Sequence, residues 1–158
     1  MGKITVTVAA ELEASAEDAY ATIADYRQGH PAILPRAIYD LRVEQGGYGA
    51  GTIHRFKTRV LGVEQSFYQI VSEPEPGRVL VERDIEPGQN YCTTFTVTPL
   101  EQGRRSWVEI TTTLDASPGL KGFVERVTLP LILSPIYREE LHLLERVARK
   151  QGAAKVRS

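Results

Sequence analysis

The chain predicts an α+β fold: a curved antiparallel sheet of seven strands, two short helices after the first strand, and one long C-terminal helix across the sheet. Three observations predict it. Residues 3–12, and then residues 36–114, alternate between apolar and polar side chains as strands do. Two short helical patterns stand between those regions. After Ser117-Pro118-Gly119 the spacing changes to that of one long helix running to about residue 150. A sheet followed by a lone long helix sets that helix over the concave face. The space between them is either solid core or a cavity.

The first strand, residues 3–12, puts Ile4, Val6, Val8, Ala10 and Leu12 on one face and Thr5, Thr7 and Glu11 on the other. Ser15 can cap a helix whose first turn holds Glu17 and Asp18, where the helix dipole favours acids. Ala19, Tyr20, Ile23 and Ala24 form its apolar stripe, and it ends near Tyr26-Arg27. Gly29, Pro31 and Pro35 leave room for a second short helix at about residues 30–34, with Pro31 tolerated in the first turn. Six strands follow, at residues 36–44, 52–60, 63–72, 78–85, 90–99 and 106–114. Their connections carry turn chemistry: Gly46-Gly47 through Gly51, Leu61-Gly62, Pro74-Glu75-Pro76-Gly77, Glu86-Pro87-Gly88-Gln89 and Glu101-Gln102-Gly103. All are short, which makes the strands an antiparallel meander. In the closing helix Leu120, Phe123, Val124, Val127 and Leu131 form one stripe, which Tyr137, Leu141, Leu144 and Ala148 continue. Pro130 and Pro135 each remove a backbone donor, so the helix is expected in two parts with a weak joint at residues 129–136.

At 158 residues the chain fits a single domain, 1–158, long enough to bury a core without staples. A net charge of −1 supplies no basic field for nucleic acid or an anionic membrane. The longest apolar run, residues 129–136, is far short of a membrane span. No signal-peptide core opens the chain, and the lone Cys92 cannot form an internal disulfide; the expectation is a cytoplasmic protein. With no histidine partner nearby in sequence, Cys92 reads as a packed or idle thiol. The three histidines, His30, His54 and His142, show no metal-ligand spacing, and the phosphate-cradling and nucleophile-elbow motifs are missing, so neither metal nor cofactor is expected.

Several local pieces, in this order, resemble one superfamily. They are Ala14-Ser15-Ala16-Glu17-Asp18-Ala19-Tyr20 followed by Ile23-Ala24-Asp25-Tyr26, then Gly49-Ala50-Gly51-Thr52, then Glu73-Pro74-Glu75-Pro76-Gly77-Arg78-Val79-Leu80, and finally Glu140-Leu141-His142-Leu143-Leu144. The chain resembles START/Bet v 1-like (SRPBCC) proteins of the helix-grip fold, and most closely the bacterial polyketide cyclase/dehydrase-type members. The resemblance implies a cavity between sheet and last helix that takes an apolar small molecule. It carries over no catalytic motif, because the superfamily uses the same fold for carriers, receptors, cyclases and co-chaperone modules.

Strand alternation nominates the lining. In the third strand Arg55, Lys57 and Arg59 belong in water, which turns His54, Phe56, Thr58 and Val60 inward. The same reasoning turns in Tyr39, Leu41 and Val43; Tyr91, Thr93, Phe95 and Val97; and Val108, Ile110, Thr112 and Leu114. Trp107 is expected outside. The fourth strand faces inward with either Tyr68 and Ile70 or Phe67 and Val71. In the fifth, Val79, Val81, Arg83 and Ile85 are set inward. From these the candidate ligand cavity takes Tyr39, Leu41, His54, Phe56, Thr58, Tyr68, Arg83, Tyr91, Thr93, Phe95, Ile110 and Thr112 of the sheet, with Phe123, Val127 and Leu131 from the helix.

His54 is the candidate catalytic residue, since a neutral imidazole in an apolar grip can act as general base or orient a carbonyl. It can equally be a core histidine bonded to Tyr39, Thr58 or a backbone carbonyl. Arg83 could meet a carboxylate ligand or snorkel to the rim. Three functions stay open: binding or transport of a lipid-like or polyketide-like molecule, polyketide cyclisation or dehydration through His54 and cavity tyrosines, and a co-chaperone-like interaction module. Residues 129–136 are apolar all round, and a cavity gate, packing on the first helices and a homodimer are the three ways to account for them.

Overall fold

The computed structural model describes residues 2–88 and 90–157; Gln89, the last residue of the expected turn at 86–89, lies outside them. The elements in order are β1 (Lys3–Leu12), α1 (Ala16–Ala24), α2 (Gly29–Ala32), β2 (Ile38–Gln45), β3 (Ile53–Val60), β4 (Val63–Glu75), β5 (Val79–Asp84), β6 (Cys92–Leu100), β7 (Arg105–Asp115) and α3 (Leu120–Arg157), with a 3-10 turn at Glu101–Gly103. The strands form one antiparallel sheet in the order β1-β7-β6-β5-β4-β3-β2. The chain meanders from β2 to β7, and β1 closes the far edge by pairing with β7 along its whole length, from Lys3↔Asp115 to Leu12↔Ser106.

Local chemistry explains the boundaries. The Ser15 hydroxyl accepts the Asp18 N–H at 3.0 Å and caps α1. At the other end of the sheet the Glu125 carboxylate accepts both the Ser117 N–H, at 2.8 Å, and the Ser117 hydroxyl, at 3.0 Å. That clamp ties the entry of α3 to its own second turn.

The two prolines do not divide α3, which runs unbroken for 38 residues, past the expected end near residue 150. Each proline deletes one i→i−4 bond, and the turns on either side keep theirs. Continuity has a consequence for which face is buried. Six residues separate Leu131 from Tyr137, which at about 100° per residue turns the surface by about 240° in all. In one unbroken helix the stripe from Leu120 to Leu131 therefore cannot share a face with the stripe from Tyr137 to Ala148. The later stripe is buried: Tyr137, Leu141, Leu144 and Ala148 pack into the core with Val6, Val108, Ile110 and, from α1, Ala19 and Ile23. The earlier stripe is exposed, with Phe123 at 64% and Leu131 at 72%.

Strand phases follow the expected pattern in β1, β3, β6 and β7, and depart from it elsewhere. In β2, Asp40 and Leu41 together face Phe56, a bulge with Asp40 at φ +58°. The extra residue shifts the alternation, so Ile38 and Leu41 point inward and Tyr39 points out. In β4 the inward set is Phe67, Gln69 and Val71, which leaves Tyr68 and Ile70 outside. In β5 the register Leu80↔Phe95 and Glu82↔Thr93 turns Leu80 and Glu82 inward and Arg83 to solvent, the reverse of the expectation.

Candidate functional site

Between the sheet and the first half of α3 lies a cavity of about 200 Å³. Its walls are mostly apolar. Leu34, Ile38 and Leu41 come from the segment after α2 and from β2, and Phe56, Val60 and Phe67 from the β3–β4 hairpin. Leu129, Ile132, Leu133 and Ile136 close it from α3. Phe56 and Phe67 stack with centroids 4.9 Å apart, and Tyr91 meets Phe67 edge-on at 5.0 Å. The rings lie against one another along the wall, so they line the space rather than fill it.

One part of the lining is polar. Glu82 of β5 sits among Tyr26, His30 and His54. Tyr26 Oη donates to Glu82 Oε1 at 2.6 Å, and the same oxygen lies 3.5 Å from His30 Nε2 and 3.9 Å from His54 Nε2. His30 Nδ1 is 2.8 Å from the Ile23 carbonyl, which can only accept, so Nδ1 carries the proton and Nε2 is turned to Glu82. The Tyr26 ring stacks on His30 at 4.4 Å and leans on His54 at 4.8 Å, and His54 stacks on Phe56 at 5.7 Å. Gln69 of β4 and Glu140 of α3 also line this part and both are buried, and Thr58, Gln65 and Thr93 add polar atoms elsewhere on the wall. Beside them Tyr137 Oη and Thr112 Oγ1 share a 2.6 Å hydrogen bond, and Thr112 meets Thr93 at 2.8 Å.

Burial sets the protonation of this group. It depresses His54 to about 4, with His30 acting in the same direction and Glu82 against it, so the imidazole is neutral at pH 7 and its contact with Glu82 is no ion pair. Burial, then the charge of Glu82, holds the Glu140 carboxyl well above the usual carboxylate range. Burial and Glu82 likewise push Tyr26 well above the ordinary phenol value, which keeps it a donor. A base held neutral and a carboxyl biased toward its protonated form thus line the same cavity. That is the protonation pattern proton transfer requires. Among the described residues no group of three or more His, Cys, Asp and Glu side chains is set to hold a metal ion, and no helix is long and apolar enough to cross a membrane.

The sequence matches, over residues 3–149, the family described as polyketide cyclase/dehydrase and lipid transport. The chain belongs to that family. No curated protein matches it in sequence. Among solved structures, the KanY protein is 27% identical and superposes with a TM-score of 0.80, over 94% of this chain and 99% of that one. The aromatase/cyclase Zhui from a Streptomyces species is 17% identical, with a TM-score of 0.76 over 95% of this chain and 96% of that one. A START superfamily protein from Mycobacterium smegmatis is 15% identical, with a TM-score of 0.72 over 95% and 99%. The last two likenesses show the helix-grip fold.

Within this member of the polyketide cyclase/dehydrase family, the nominated residues separate into three groups. His54, Leu41, Phe56, Thr58, Tyr91, Thr93 and Phe95 line the cavity. Ile110 and Thr112 face inward but lie in the packed core beside it. Six are placed elsewhere. The Tyr39 hydroxyl donates to Glu64 on the outer face, and Tyr68 lies beneath the Arg55 guanidinium, 3.7 Å from its ring centroid. Arg83, Phe123, Val127 and Leu131 are exposed. His54 also lacks the bonds to Tyr39, Thr58 or a carbonyl that a core histidine would have, since neither ring nitrogen has a partner.

Sequence reasoning missed Tyr26, His30, Gln69, Glu82 and Glu140. For Glu140 a signal existed: it sits at i+4 and i+3 from Ile136 and Tyr137, an acid inside the apolar stripe. For Glu82 the signal pointed the other way: its face of β5 carries Glu82 and Asp84 with only Leu80 apolar, whereas the opposite face carries Val79 and Val81 with Arg83.

Proposed function

We propose that the protein binds an apolar small molecule between the sheet and the first half of α3, with the polar end of that molecule against His54, Gln69 and Glu140. The observation that carries this reading is a cavity with mostly apolar walls and a buried polar cluster, since small-molecule sites combine apolar walls with a few placed polar groups. Family membership supports it. Native mass spectrometry of the purified protein, followed by solvent extraction, tests it. A small apolar compound should leave with the protein, or an environment-sensitive apolar dye should bind one-to-one and be lost when Ile132→Trp blocks the cavity. Dye binding that survives the block would sink the proposal.

A second reading is proton-transfer chemistry of the polyketide cyclase/dehydratase type, and a neutral His54 in one cavity with Glu140, whose burial favours its protonated form, supports it. His54 would take a proton from carbon next to a carbonyl, and Glu140 would give one to the departing hydroxyl or the carbonyl oxygen. His54→Phe and Glu140→Gln would then each abolish turnover of a poly-β-ketone surrogate while leaving its binding measurable. Equal turnover in all three proteins would leave binding as the function.

A further inference from the structure

We infer that the cavity selects an uncharged ligand whose buried end bears a hydroxyl group, read jointly by Gln69 and His54, and that it rejects anions. The inference rests on the binding function proposed above and specifies its ligand class.

Among the described residues, three buried side-chain polar atoms have no hydrogen-bond partner: both ring nitrogens of His54 and Oε1 of Gln69. Both side chains line the cavity and are 1% and 2% exposed. They are also direct cross-strand neighbours, His54↔Gln69, on the inward face of β3 and β4, close enough for one small group to touch both. Buried polar atoms in folded proteins are nearly always paired, so atoms left open beside a cavity await whatever enters it.

Their chemistry restricts the entrant. Gln69 is oriented by its other end: its Nε2 donates to Asp84 Oδ1 at 3.0 Å, and Asp84 Oδ2 accepts the Tyr91 N–H at 2.9 Å. That leaves the amide oxygen, an acceptor only, toward the cavity. A neutral imidazole presents one donor and one acceptor whichever tautomer it takes. The pair therefore asks for an O–H to give to an acceptor and a lone pair to receive the imidazole N–H. A hydroxyl supplies both in one atom. A ketone meets only the imidazole N–H, and an alkyl group meets nothing.

Charge restricts it further. The lining contains Glu82 and Glu140 and no Lys or Arg. Arg83, the cation that β5 could have supplied, points to solvent. A carboxylate or phosphate carried in would lose its water beside Glu82 with no cation to meet it, a cost far larger than one hydrogen bond returns.

Four naphthalenes that differ in one substituent test this by isothermal titration at pH 7: 2-naphthol, 2-methylnaphthalene, 2-naphthoate and 2-naphthylmethylammonium. The expected result is that naphthol binds about tenfold more tightly than the methyl compound, one or two net hydrogen bonds' worth, and that naphthoate does not bind measurably. Gln69→Leu, or Gln69→Met if the first does not fold, should bring naphthol and methylnaphthalene to within about twofold of each other. Equal affinities for those two in the natural protein would overturn the hydroxyl preference and leave apolar binding standing, with water meeting the open atoms. Tightest binding by the naphthoate or by the ammonium would overturn the charge argument. If none of the four binds, the proposed binding function fails, and this inference with it.

Discussion

The two halves of α3 cover the same sheet, and only one of them closes on it. From Tyr137 onward the helix lies on β1 and α1, and Leu141, Leu144 and Ala148 are buried in solid core. Polar ties reinforce the contact: Glu145 accepts the Glu13 N–H at 2.7 Å, Gln151 accepts from Thr22 Oγ1 at 3.2 Å, and Lys155 reaches Asp18 at 2.6 Å. Before Tyr137, the stripe from Leu120 to Leu131 looks to solvent, and Leu129, Ile132, Leu133 and Ile136 border the cavity. The difference lies in what stands beneath. Under the second half, α1 fills the space between sheet and helix. Under the first half α1 does not intervene, and the rings of Phe56, Phe67 and Tyr91 lie against one another along the wall. The lesson is that one helix can act as core at one end and as the roof of a binding site at the other, depending on what lies below it.

The largest expected effect separates the two halves by stability. Leu144→Ala should cost about 2–5 kcal/mol in denaturant unfolding, because it opens a void in close-packed core. Ile132→Ala, at a wall that already borders empty space, should cost distinctly less and act on ligand affinity instead. Equal losses would mean that the cavity is filled core.

The next effect is on pH dependence. His54 protonates at about 6.5 in the unfolded chain and only at about 4 in the folded one, so the unfolded state holds more protons between those values and stability falls as pH drops through them. The full loss is roughly 3 kcal/mol at 1.36 kcal/mol per pH unit. His54→Phe, which keeps a ring against Phe56, should therefore gain on the natural protein progressively from pH 6.5 down to pH 4. Glu140 has the opposite sign. Its folded value is raised, so the unfolded chain ionises first and stability falls as pH rises above about 4.5. Glu140→Leu should gain on the natural protein toward pH 8. Unfolding curves that stay parallel across this range would show that neither group is buried as described.

A smaller effect is expected where the cavity's polar end meets solid core. Tyr26→Phe removes the donor at 2.6 Å from Glu82 and leaves a buried carboxylate oxygen short of a partner, at a cost of about 1–3 kcal/mol by thermal unfolding. The smallest concerns the outer face of the first half: Phe123→Ser should leave stability within about 0.5 kcal/mol, since the ring is largely in water. A loss of several kcal/mol there would put that face back in the core and undo the comparison.

The parts of the site that were legible before the structure lie where one face of a strand is plainly unfit for burial. Arg55, Lys57 and Arg59 settled the phase of β3 and so placed His54 and Phe56. In β5 the contrast misleads: the face with two acids, Glu82 and Asp84, turns inward, and the face of Val79 and Val81 carries Arg83 to solvent. In β2 the bulge at Asp40 reverses the alternation at a residue with no turn signature. In α3 residues 129–136 are apolar on both faces, so spacing alone cannot say which is buried.

Sequence by itself determined the order and type of every element, the antiparallel meander, the cap at Ser15 and the burial of the Tyr137–Ala148 stripe, because these depend on local propensity and on period. The tertiary structure alone decided that the prolines leave α3 whole, that the stripe from Leu120 to Leu131 faces out, and that Glu82, Gln69, His30 and Glu140 join His54 around one cavity. Those outcomes depend on strand register and helix rotation. Both are set by contacts between residues far apart in the chain, and burial of a charged or amide side chain is tolerable only where such contacts bring the right neighbours.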